Sequence, residues 1–223
     1  MGNSITLKCR DGVSIGAYAA EPASPAKAGL VVLQEIFGVN HHIRNVCDWY
    51  AAVGYSTVAP ALFDRVKPGA ELGYVGPDVE EGRSLRGATN LDAVLLDVQA
   101  AIGVLKASGR KVGVVGYCWG GSLAFLSACR LQGLSAAVGY YGGQIIPHIA
   151  ETPKAPVMLH FGERDKGIPL SDVETIKARL PGLPIHLYPA DHGFNCDERA
   201  SYDEVSSKLA LSRTLSFFEQ YLG

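Results

Sequence analysis

Cys118, Asp165 and His192 are the three side chains whose types and order could carry nucleophilic chemistry. A thiol becomes a nucleophile when an adjacent base takes its proton, and an acid behind that base orients the imidazole and stabilises its charged form. Cys118 lies in Gly116-Tyr117-Cys118-Trp119-Gly120-Gly121, the G-x-S-x-G pattern of a sharp strand-to-helix turn with cysteine in place of serine. The flanking glycines are needed where backbones approach so closely that a Cβ would clash. The amide of Trp119, at the helix start, has no partner within the helix and can hold a developing oxyanion; the helix dipole favours a thiolate. Asp165 ends Gly162-Glu-Arg-Asp165 and His192 ends Pro189-Ala-Asp-His192, each just past an apolar run. Glu163 and Asp191 compete as the acid, and strand context favours Asp165. The other histidines, His41, His42, His148, His160 and His186, have no comparable setting and read as surface or satisfied core groups.

To converge, these residues need a sheet that presents its strand ends together. Ile5–Cys9 and Val13–Ala19 flank Asp11-Gly12, a hairpin signal. Short continuous apolar runs at 29–34, 55–59, 111–115, 135–140, 156–161 and 183–188 read as strands, most of the buried parallel type. Helical spacing recurs at 42–52, 91–105, 119–131, 170–180 and 202–222. Residues 60–86 carry Pro68-Gly69, Gly73 and Gly76-Pro77 and read as a long excursion with some irregular helix. Strand alternating with helix predicts an α/β fold in which a mostly parallel central sheet has helices on both faces. No linker or repeat interrupts it, so residues 1–223 are expected to form one domain.

The chain has 223 residues, 48% of them hydrophobic, and 20 basic against 22 acidic side chains. A formal charge of −2 offers no field for nucleic acid or an anionic membrane, which leaves a small molecule as the expected partner. No apolar run approaches a bilayer span and the N-terminus lacks a signal-peptide core, so a cytoplasmic monomer is the expectation. Met1-Gly2 with Thr6 fits a loose acylation pattern, unsupported by any basic cluster. Five scattered cysteines without a CxxC pair argue for reduced thiols and against a zinc site.

Together with Gln34-Glu-Ile-Phe-Gly-Val39, Val138-Gly-Tyr-Tyr-Gly142, His160-Phe-Gly-Glu-Arg-Asp165 and Asp191-His-Gly-Phe194, the nucleophile turn resembles the dienelactone hydrolase (carboxymethylenebutenolidase) family of α/β-hydrolases over almost the whole chain. The resemblance implies an α/β-hydrolase fold and a cysteine-dependent hydrolase of small esters or lactones that needs no cofactor and no metal. It implies that Glu35 lies beside Cys118 and holds a resting thiol turned towards it. It implies an oxyanion hole from the Ile36 and Trp119 amides, and a pocket lined by Phe37 and Tyr141. Family members that open dienelactones grip the substrate carboxylate with two arginines. Arg83 or Arg86 stands at the first position, with Arg83 preferred, while Cys196 occupies the second. A thiol cannot replace a guanidinium there, and Arg199 could substitute only if the loop differs. A fold relative that binds a ligand without turning it over is the competing class, and a redox role for Cys118 with Cys196 is a third.

Overall fold

The computed structural model describes residues 2–223, so the acylation pattern at Met1 lies partly outside it. The elements are β1 (Asn3–Lys8), β2 (Ser14–Ala20), β3 (Ala28–Leu33), α1 (His41–Ala52), β4 (Tyr55–Pro60), α2 (Gly76–Ala88) and α3 (Leu91–Lys106). Then follow β5 (Val112–Tyr117), α4 (Trp119–Arg130), β6 (Ala136–Tyr140), a 3₁₀ turn (Ile146–His148), β7 (Val157–Gly162), α5 (Leu170–Arg179), β8 (Ile185–Tyr188) and α6 (Glu204–Leu222). The eight strands form one sheet in the order β1-β2-β4-β3-β5-β6-β7-β8. Only β2 runs against the rest: as the hairpin signal required, β1 pairs with β2 antiparallel, and β2 pairs with β4 antiparallel, so β1 points the same way as β4. The strands β3 to β8 are mutually parallel.

Parallel strands covered on both faces must be apolar throughout, and β3, β4, β5, β6 and β7 are buried at every residue. Successive side chains still divide between the faces. Leu30 and Val32 of β3 join the cluster that holds Ile43, Cys47 and Tyr50 of α1 with Phe218 and Leu222 of α6. Val31 and Leu33 join the one that holds Val94, Val98 and Ile102 of α3 with Leu123 and Ala124 of α4. Helices therefore cover both faces.

The strand order reverses at β3, whose sequence neighbour β4 lies on one side and β5 on the other. Such a switch point opens a crevice at the strands' carboxyl ends. Glu35 follows β3 there and Cys118 follows β5.

The excursion after β4 is more regular than its breakers suggested. Gly76-Pro77 starts a helix rather than interrupting one, because proline fits the first turn, where no intrahelical donor is needed. Before it, the chain folds back on the β3 loop through Leu72 N–H to the Phe37 carbonyl (2.9 Å). α2 then packs so tightly that a Cβ on Gly82 would strike the Ile36 carbonyl. Two other boundaries shift: α6 starts after Asp203, whose carboxylate caps Ser206 N–H at 2.8 Å, and β8 begins only after Pro184.

Candidate active site

Cys118 forms the N-cap of α4 with φ 55° and ψ −115°, a left-handed conformation that costs a non-glycine residue about 1–3 kcal/mol. The surroundings hold it there. Its amide donates to the Tyr140 carbonyl at 3.0 Å, and Gly120 N–H donates to the Gln34 carbonyl at 3.1 Å. A Cβ on Gly116 would meet the Gly120 carbonyl, and one on Gly120 would meet those of Leu33 and Gln34, so both glycines are there for backbone contact. Buried Gln34 extends this brace, its Oε1 accepting from Leu62 N–H at 3.1 Å. Among the described residues neither the Ile36 nor the Trp119 amide has a protein acceptor, and both residues border the cavity above Cys118.

The loops after β7 and β8 are zipped together by Glu163 N–H to Tyr188 O (2.8 Å) and Arg164 N–H to Ala190 O (3.0 Å), which sets Asp165 beneath His192. His192 Nδ1 and Asp165 Oδ2 lie 2.6 Å apart, and Asp165 Oδ1 accepts from Gly167 N–H at 2.8 Å. The carboxylate is fully enclosed, whereas His192 keeps 28% of its side chain exposed. The rival acids are engaged elsewhere: Glu163 faces solvent, and Asp191 accepts the His192 backbone N–H at 2.8 Å. Burial opposes a charge on His192, but the Asp165 hydrogen bond and the neighbouring Cys118 sulfur outweigh it and push its pKa up to about 10. The arrangement stabilises an imidazolium next to the sulfur.

Glu35, which the resemblance sets beside the thiol, is 1% exposed, and no hydrogen bond joins it to Cys118 among the described residues. Its Oε1 is instead bound by Arg199 Nη1 at 2.9 Å, while Oε2 is buried without a partner. Cys118 feels two charged neighbours, His192 and Arg199. Arg199 also lies 5.8 Å from the ring centroids of Phe37 and Tyr74, so it is held by charge and by aromatic faces.

A cavity of about 440 Å³ opens over these groups. Phe37 lines it, and so do both Arg83 and Arg86, joined by Lys166 and Arg199. Arg83 is partnered by Glu80 at 2.7 Å on the helix surface. Tyr141 departs from the expectation. At φ 39° the chain turns its ring inward, beneath His192 (5.0 Å) and against Phe194 (5.4 Å), so it supports the imidazole from behind instead of lining the cavity. Cys196 is also fully buried, its thiol pushed up to about 12 by burial and by the charge of Glu35. Lys166 was not singled out by sequence; an exposed lysine one position past Asp165 carries no local signal.

Residues 15–222 match the dienelactone hydrolase family. The chain belongs to that family. It is 34% identical to the carboxymethylenebutenolidase of Pseudomonas putida, covering 96% of this chain and 94% of that one. It is 31% identical to carboxymethylenebutenolidase 1 of Cupriavidus pinatubonensis, covering 96% and 95%. A crystal structure from Klebsiella pneumoniae, assigned as a dienelactone hydrolase, superposes with a TM-score of 0.86 at 31% identity over 99% of each chain. A dienelactone hydrolase-like promiscuous phosphotriesterase from metagenomic libraries shares the fold, with a TM-score of 0.76 at 20% identity, covering 100% of this chain and 99% of that one. Family membership makes this chain a carboxylic ester hydrolase.

Proposed function

We propose that this hydrolase cleaves small esters or lactones bearing an anionic group, through a thioester on Cys118 with His192 and Asp165 as its partners. The observation that carries the reading is the 2.6 Å Asp165–His192 contact behind a cysteine at a helix N-terminus. The thiolate attacks the carbonyl carbon, and the Ile36 and Trp119 amides receive the oxyanion. The tetrahedral adduct collapses as the alkoxide takes the His192 proton, leaving a thioester. Acylation removes the sulfur charge that helps raise the His192 pKa, so the imidazole can then serve as base towards water. The second adduct expels the acid and regenerates the thiolate.

Arg83, Arg86, Lys166 and Arg199 border the cavity with Asp165 and Asp191; Arg83 is paired with Glu80 and Arg199 with Glu35, which leaves Arg86 and Lys166 without an acidic partner among the described residues. That balance supports a carboxylate on the substrate, and Arg199 supplies the guanidinium that Cys196 cannot. A substrate carboxylate that draws Arg199 from Glu35 would free the acid for the thiol, which is how Glu35 would act as a switch. Five free thiols fit a reducing cytoplasm, where the protein is read as a monomer. The test is kcat/KM on an activated aryl ester with and without a distal carboxylate. The carboxylate should raise kcat/KM and Cys118→Ala should abolish turnover; unchanged turnover in that variant would remove the nucleophile from the account.

A further inference from the structure

A second cluster of metal-ligating side chains lies outside the cleft. A ring nitrogen of His42, the sulfur of Cys196 and a carboxylate oxygen of Asp197 lie within 4.8 Å of one another. His42 is 4% exposed, its Nδ1 is 3.3 Å from Asp197 Oδ1, and its Nε2 is buried without a partner. A cavity of about 250 Å³ borders both His42 and Asp197 and gives solvent a path to them. A ring nitrogen, a thiol and a carboxylate oxygen this close together offer a mixed donor set that includes a soft sulfur. We infer that His42, Cys196 and Asp197 form a binding site for a soft divalent cation of the zinc type, with solvent as fourth ligand.

The chemistry balances. Nitrogen, thiolate sulfur and carboxylate oxygen are a donor set that tetrahedral zinc accepts, with the fourth position open to the cavity. Binding replaces the Cys196 thiol proton with the metal and releases one proton, and metal coordination deprotonates a thiol whose free pKa is high. The thiolate and carboxylate together cancel the cation's charge, so no net charge is placed beside the N-terminus of α1, where a cation alone would be disfavoured. Ligands about 2.0–2.3 Å from zinc must close to within roughly 4 Å of each other. The Asp197 side chain, 70% exposed on a loop of turns, is the one free to make that adjustment. Cys196 lies between His192 and Arg199 in sequence, so an occupied site would pin the loop carrying both to α1.

The test is a titration of metal-stripped protein with Co²⁺, following thiolate-to-cobalt charge-transfer absorption and proton release. One equivalent should bind with the band and one proton. Cys196→Ser and His42→Ala should lose the band, and Asp197→Asn, a substitution on the surface, should bind at least about tenfold more weakly. Cys118→Ser should retain it. A band lost in Cys118→Ser, a band indifferent to Asp197→Asn, or no saturable binding would each overturn the proposal. Asp197→Asn and Cys118→Ser decide the question even if the two buried variants fail to fold.

Discussion

Arg199→Met separates the Arg199–Glu35 pair without changing the nucleophile turn, and its cost can be worked from the structure. Glu35 is 1% exposed and already has one oxygen without a partner, so removing Arg199 strands the whole carboxylate. Breaking a buried pair by deleting one member costs about 3–5 kcal/mol. Arg199 keeps 22% of its side chain in water, which screens the interaction and brings the expectation to about 2–3 kcal/mol. At roughly 2–4 °C per kcal/mol for a chain of this size, the midpoint of thermal unfolding should fall by about 4–12 °C. The companion Glu35→Gln/Arg199→Met removes the stranded charge and should recover most of the loss, leaving a coupling energy above about 1.5 kcal/mol in a double-mutant cycle. Urea unfolding of the four proteins measures it. A coupling below about 0.5 kcal/mol, the scatter of independent sites, would refute the pairing as an energetic feature.

Asp165→Asn should lower kcat/KM by about 10³–10⁴ while leaving the ester's binding intact, since the imidazole loses its orienting acceptor; a loss under tenfold would put the acid elsewhere. The raised His192 pKa predicts that kcat/KM on an activated ester holds across neutral pH and falls as pH rises through about 10. Because that folded-state value lies above the ordinary 6.5, the Asp165–His192 contribution to stability is complete below about pH 6.5 and is lost as pH rises through 10. The urea midpoint of the parent should therefore drop over that window more than that of Asp165→Asn, and parallel curves would contradict it. Arg86→Gln should raise KM for an anionic ester about tenfold and Arg83→Gln by less, because Glu80 already partners Arg83 at the surface; steady-state kinetics distinguishes them. Gly120→Ala should cost about 1–3 kcal/mol by forcing a Cβ against the Leu33 and Gln34 carbonyls, read as a lowered thermal midpoint.

Where the signal is local, the sequence was readable. Apolar runs bounded by glycine marked the strands, and the glycine-flanked turn, strand context and chain order put Cys118, Asp165 and His192 just past three of them. Arg199 was less legible because its place depends on a run of turns: Cys196 N–H reaches the Gly193 carbonyl, Arg199 N–H that of Cys196, and Tyr202 N–H that of Arg199. Residues three apart stack in such turns, and Arg199 is carried back over Gly193, where a Cβ would strike its guanidinium. No spacing rule anchored on an expected arginine at position 196 reveals that. Tyr141 was misplaced for a related reason: strand alternation ends at Tyr140, and the positive φ that follows reverses the ring's direction. His42 read as a satisfied core or surface group, yet one of its nitrogens has no partner, a feature that only packing exposes.

The central claim is that Cys118 carries the acyl group during turnover. Rapid acid quench of the enzyme with an activated ester, followed by intact-mass and peptide mass spectrometry, reads it directly. The account predicts a single acyl adduct on the peptide containing Cys118, formed about 10³–10⁴-fold more slowly in Asp165→Asn. Turnover with no adduct, or an adduct that maps to another residue, would contradict it.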